Sequence, residues 1–125
     1  MTENEISKIT VDAAFKIHTT LGPGLLESVY EAVLAYELES RGMEVIRQQA
    51  IPVVYEAVKL DLGFRADMIL NRRVVVEVKS IDAIAPVHAK QLRTYLRLMD
   101  LRLGLLINFN VNLIKDGITR VVNNL

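Results

Sequence analysis

Three charged side chains interrupt stretches that otherwise read as buried strands: Asp67 in GFRADMIL, and Glu77 with Lys79 in VVVEVKS. Strand side chains alternate between faces, so Glu77 and Lys79 share one face while Val74, Val76 and Val78 line the other. The same alternation sets Arg65, Asp67 and Ile69 on one face of their strand, and Phe64, Ala66, Met68 and Leu70 on the opposite one. Burying an ion costs several kcal/mol unless it is paired or bound to metal. If the two strands pair antiparallel through a turn at Asn71 to Arg73, the carboxylates of Asp67 and Glu77 approach one point, where they need a cation between them. Hard divalent ions such as Mg²⁺ accept one or two carboxylates together with water and phosphate oxygens, and the carbonyl of Val78 is a third candidate ligand. An ammonium at Lys79 enters the same space, where it could neutralise phosphate, orient a water or stabilise charge in phosphoryl transfer. A structural salt bridge on a sheet would produce the same spacing, so spacing alone leaves both readings open.

The elements that must position these residues follow from periodicity. Ile6, Ile9, Ala13, Ala14 and Ile17 recur at three and four and predict a first helix, broken at LGPG. A second helix carries the stripe Leu26, Val29, Tyr30, Val33, Leu34 and Leu38 and stops at Gly42. MEVIRQQAIPVVYEA alternates and is β-branched, with Pro52 marking a bend or edge, so one interrupted strand or two short ones follow. With LDLGFRADMIL and VVVEVKS this makes an antiparallel meander. A third helix starts after Pro86, LGLLINF is a buried strand, and NLIKDGITRVV reads as a terminal hairpin turning at Asp116-Gly117. A site in such a chain is built from one mixed sheet and its flanking helices.

Asp67, nine intervening residues, and then Glu77-Val78-Lys79 resembles the D, E-x-K signature of the PD-(D/E)xK nuclease superfamily, also called restriction-endonuclease-like. The element order resembles that superfamily's αβββαβ core as well. More narrowly, Gly24-Leu25-Leu26-Glu27-Ser28-Val29-Tyr30 looks like the signature of the GxxExxY family, a group of small prokaryotic proteins within it. GPGLLESVYE, RADMIL, VVVEVKS and QLRTYL occur in the matching order. Ala66 stands where the superfamily motif has proline, which is not a ligand. The resemblance implies an α/β fold with a restriction-endonuclease-like mixed sheet flanked by helices, with residues 1–125 forming a single domain. It implies Asp67, Glu77 and the Val78 carbonyl as metal ligands, Lys79 as a catalytic group, Glu27 as an additional acid, and Gln91 with Tyr95 as a Q-x-x-x-Y pair. Residues four apart on a helix share a face, so Gln91 and Tyr95 can address one site.

Composition narrows the classes further. The 125 residues are 51% hydrophobic and 24% charged, which excludes disordered and fibrous classes. Without cysteine, disulfide frameworks, thiolate metal sites and thiol nucleophiles are excluded, and a reducing, cytoplasmic location is expected. MTENEISKITVDAAF carries acids where a signal peptide needs basic and then apolar residues, and no apolar run reaches membrane length. Net charge is zero but uneven: residues 65 to 102 hold 8 Lys/Arg against 4 Asp/Glu, whereas residues 1 to 64 hold 5 against 10. That middle region predicts a phosphate-attracting patch if its charges converge, and a solvated surface otherwise. His18 and His88 lack a partner at metal-ligand spacing and are taken as ordinary polar residues. The expected function, implied by the resemblance, is a Mg²⁺-dependent nuclease (hydrolase) acting on DNA phosphodiesters. Mn²⁺ is able to substitute, RNA is left open, and a second copy or a partner protein supplies further surface. The alternative is a non-catalytic nucleic-acid-binding or accessory module on the same fold.

Overall fold

The computed structural model describes residues 1–125. Helix α1 (Glu3–Leu21) begins earlier than its apolar repeat. The reason is a capping box: Thr2 Oγ1 accepts the Glu5 amide and the Glu5 carboxylate accepts the Thr2 amide. Helix α2 (Glu27–Ser40) buries Tyr30, Leu34, Ala35 and Leu38. The expected stripe starts one turn too soon, because Leu26 caps the helix and is 72% exposed, and Val29 also faces outward. The stop falls as expected before Gly42, whose φ of 87° suits glycine.

The meander forms as expected from β1 (Val45–Tyr55), β2 (Val58–Leu70) and β3 (Val74–Lys79), with both pairings antiparallel. Pro52 lies in edge strand β1 at a register shift, so the strand is interrupted but single. The β2–β3 turn is tight: Asn71 and Arg72 have φ of 49° and 58°, and the Arg73 amide donates to the Leu70 carbonyl at 2.9 Å. Positive φ at both central residues matches the right-handed twist of the flanking strands. Beyond Phe64, β1 and β2 pair only with each other and form an arm on which Tyr55, Val58, Leu60 and Leu62 are exposed.

Helix α3 (Pro86–Met99) crosses from β3 to the parallel strand β4 (Leu103–Asn108), and β5 (Ile118–Val122) returns antiparallel beside it. The strand order is β1-β2-β3-β4-β5. The terminal turn departs from expectation: Asp116 and Gly117 end a short 3-10 helix (Ile114–Gly117) instead of joining two strands. Ile114 leaves strand geometry and is buried in the core beside α1.

Two apolar layers sandwich the sheet. On one side α1 and α2 pack on Met68, Leu70, Val74, Val76, Val78, Leu105 and Ile107. On the other, Leu92 and Leu96 of α3 pack on Ala66, Ile69, Val75 and Leu106. Helix α3 sits close to the sheet because β4 carries Gly104, where a Cβ would lie 2.9 Å from the Leu92 side chain. No helix is long and apolar enough to cross a membrane.

Candidate active site

The site lies where the β2–β3 ladder stops. Pairing runs from Leu70–Val74 through Met68–Val76 and goes no further, so the next pair in register, Asp67 and Glu77, stands at the open end. The cause is a distortion shared by β1 and β2. The pairs Ile46–Ile69 and Ile51–Phe64 are in the same register and both pack on the α3 side, yet they lie five residues apart along each strand. Strict alternation would put them on opposite faces. The faces therefore exchange at the intervening pair, Gln48 and Asp67, and Gln48 takes a φ of 52° that a non-glycine residue rarely adopts. This corrects the face assignment expected from the sequence: Phe64 and Ala66 join Ile69 on the α3 side, opposite Met68 and Leu70.

At that exchange Asp67 turns its carboxylate into the gap between strands. Oδ2 accepts the Val78 amide at 2.8 Å, taking the place of the lost ladder bond. The Lys79 carbonyl accepts the Phe109 amide on the β4 side, and backbone groups of adjacent strand residues point in opposite directions, so the Val78 carbonyl faces the gap as well. Glu77 follows Val75 onto the α3 side and is 8% exposed. Its Oε1 is buried without any hydrogen-bond partner. Burial first, and then the charge of Asp67 and hydrogen bonding with it, push the Glu77 carboxyl up to about 9, against a weaker pull from Lys79.

Lys79 is half-buried and forms an ion pair with neither acid. The salt-bridge reading left open by the spacing therefore fails on geometry. Two carboxylates lie close enough to repel, one oxygen has no donor, and the nearby ammonium is unpaired. An orphaned buried acceptor beside a second carboxylate and a free carbonyl is a donor set of hard oxygens suited to a divalent cation.

Tyr95 of α3 lies close enough to these acids to feel their charge, and the exposed Gln91 neighbours Tyr95. Burial raises the Tyr95 hydroxyl above the usual phenol range, the charge of Glu77 and then that of Asp67 add to this, and the neighbouring Gln91 amide opposes it. The Tyr95 ring stacks on Phe64 with centroids 3.7 Å apart, tying α3 to the root of the arm. Glu27 is elsewhere. It lies in the exposed first turn of α2, on a cleft of about 530 Å³ that it shares with Leu25, Ser28, Ser80 and Asn110. Ser80 Oγ donates to the Leu25 carbonyl at 2.6 Å and so fixes this cleft to the end of β3. No third acid gathers with Asp67 and Glu77.

The acid of α2 that does connect to the site is Glu31, one turn beyond Glu27. It is buried, its Oε2 accepts Arg47 Nε at 3.1 Å and Nη2 at 2.8 Å, and its Oε1 accepts Gln48 Nε2 at 2.7 Å. Gln48 Nε2 also reaches Asp67 Oδ1 at 3.3 Å. Periodicity and motif spacing point to neither Glu31 nor Gln48. The signal for them is Arg47-Gln48-Gln49, three successive polar residues where an alternating strand should carry one at a time. The histidines stay apart from the site: His18 Nε2 bonds to the Val111 carbonyl at 2.8 Å, and His88 Nδ1 accepts the Ala85 amide at the start of α3.

No curated protein and no solved structure matches the chain. The sequence model of the PD-(D/E)XK nuclease superfamily, in contrast, matches residues 4–121, from α1 into β5. The five-stranded mixed sheet with helices on both faces is consistent with a restriction-endonuclease-like fold. With the acids on β2 and β3, a lysine two residues beyond Glu77 and a match over nearly its whole length, this chain belongs to the PD-(D/E)XK nuclease superfamily.

Proposed function

We propose that the domain is a Mg²⁺-dependent nuclease that hydrolyses DNA phosphodiester bonds, with Mn²⁺ able to substitute. The observation that carries this reading is the unpartnered, buried Glu77 Oε1 beside Asp67. Asp67, Glu77 and the Val78 carbonyl would hold the cation. When bound, it supplies Lewis-acid stabilisation of phosphoryl oxygens and acidifies a coordinated water. Glu77 must give up its proton before it can act as a ligand, so cation binding and deprotonation are linked. Lys79, bound to no acid, is free to meet a phosphate oxygen or orient the attacking water. Gln91 and Tyr95 align the substrate over the acids, and Glu27 supports the site from the adjoining cleft.

The surface supports a nucleic-acid substrate. Lys90 and Arg93 of α3 line a groove of about 300 Å³ with Arg120 of β5, and none of the three is paired with an acid. Lys90 and Arg93 lie on the helix that carries Gln91 and Tyr95, on its flank toward β5, where nucleic acid extending from the acids across α3 would meet them. We also place the chain in the GxxExxY group of the superfamily. In support, Gly24 enters α2 with a φ of 98°, and the Tyr30 hydroxyl donates to the Gly22 carbonyl and accepts the Leu25 amide. The glycine and tyrosine of that motif thus shape the loop that presents Glu27. The exposed apolar arm is the surface we assign to a second copy or a partner protein.

The test is cleavage of single-stranded, double-stranded and branched DNA, and of RNA, with Mg²⁺ or Mn²⁺, alongside Asp67→Asn. Metal-dependent cutting lost in that variant is the expected result. Wild-type protein that cuts nothing yet binds nucleic acid with a Lys79-dependent salt slope would establish the accessory-module alternative instead.

A further inference from the structure

We infer that Gln48, anchored by Glu31, is a positioning residue that fixes the carboxylate plane of Asp67 for cation binding. The inference rests on the metal-site reading above and goes beyond it, because neither residue is itself assigned as a ligand. A non-glycine φ of 52° in the middle of a strand is unfavourable and persists only where surrounding structure compensates. What it achieves is visible in the side chain. The exchange of faces at Gln48 directs its amide toward Asp67, where one nitrogen reaches Glu31 Oε1 at 2.7 Å and Asp67 Oδ1 at 3.3 Å. A primary amide nitrogen carries two hydrogens, so both bonds can be made at once.

Each end of this chain is held. Glu31 is buried on α2 and clamped by the Arg47 guanidinium through two nitrogens, so its position is fixed independently of Gln48. Asp67 receives one donor on each oxygen, Gln48 Nε2 on Oδ1 and the Val78 amide on Oδ2, from opposite sides. A carboxylate has about four lone-pair sites. Two are thereby spent on orientation, and one on each oxygen remains for a cation. Hydrogen-bonded carboxylate ligands of this kind are oriented by groups that never touch the metal, and removing such a group typically lowers metal affinity by about 10- to 100-fold. The arrangement also explains why Arg47 and Gln48 are consecutive: one secures Glu31 and the next transmits that position to Asp67.

The test is titration calorimetry with Mg²⁺ and Mn²⁺ on Gln48→Gly and Gln48→Asn, together with thermal unfolding of the metal-free proteins. Both replacements tolerate positive φ; glycine removes the side chain, and asparagine keeps the amide but is one methylene too short to bridge. The expected result is metal affinity of the folded protein lower by roughly 10- to 100-fold in both variants, whatever the change in melting temperature. A purely structural role for Gln48 would lower the melting temperature and leave the affinity of the folded protein alone, and that outcome overturns the inference. Wild-type protein that binds neither cation overturns the metal-site reading and this inference with it. Wild-type binding matched by both variants overturns this inference only.

Discussion

Replacing Glu77 with glutamine tests the electrostatics of the site without any substrate. In the metal-free fold the carboxyl is pushed up to about 9 from an ordinary value of 4.5, by burial and then by Asp67. Between those values the folded protein keeps a proton that the unfolded chain has released. Folding stability therefore falls as pH rises, by up to about 1.4 kcal/mol per pH unit, starting from the ordinary value and levelling off above the raised one. From pH 6 to pH 8 the ceiling is roughly 3 kcal/mol, less whatever the pocket recovers by admitting water. Glutamine has no proton to lose and fills the same volume. Urea unfolding in chelator should show a declining wild-type stability across this window and a flatter Glu77→Gln profile, with the variant the more stable protein at pH 8. Comparing the two cancels the titrating groups that do not interact with Glu77. The same linkage predicts proton release on Mg²⁺ binding near neutral pH, read as a calorimetric enthalpy that changes with the ionisation enthalpy of the buffer. Identical pH slopes for wild type and variant would refute the reasoning, because they would mean that Glu77 is already ionised in the fold.

Lys79→Met should reduce turnover by roughly 3 to 4 kcal/mol of transition-state stabilisation while leaving unfolding midpoints nearly unchanged, since Lys79 pairs with no acid in the fold. A large loss of stability instead would restore the structural role for this lysine. Lys90→Ala and Arg93→Ala should each lower the slope of log affinity against log salt by about 0.7 to 0.9 for single- or double-stranded DNA, measured by fluorescence anisotropy, with little effect on Mg²⁺ affinity. Tyr30→Phe should cost about 1 to 2 kcal/mol in chemical denaturation, because the Gly22 carbonyl and the Leu25 amide lose their shared hydroxyl partner. The ring itself stays stacked on Phe109, so cation binding should survive this change.

The sequence by itself determined the order of elements and the identity of the acidic pair. Apolar repeats at three and four placed the three helices, β-branched alternation placed the meander, and the spacing of Asp67 from Glu77-Val78-Lys79 selected the residues that meet at its open end. These properties are local, because they follow from the periods of helix and strand and from one tight turn at Asn71 and Arg72. Only the tertiary structure decided the rest. The exchange of faces at Gln48 and Asp67 depends on two strands distorting together, which alternation along either one does not reveal. Whether Lys79 pairs with Glu77 depends on side-chain directions at the end of a ladder, and here the ammonium stays free while Glu77 Oε1 is left without a donor. The choice of Glu31 over Glu27 as the acid linked to the site depends on which turn of α2 faces β1, where Arg47 and Gln48 wait. The terminal segment forms a 3-10 turn that buries Ile114 in the core, a long-range contact that the Asp-Gly turn signal does not reveal. Strand period and residue spacing identify which charged groups can meet; the packing of helix against sheet sets their burial, their partners and the direction each one faces.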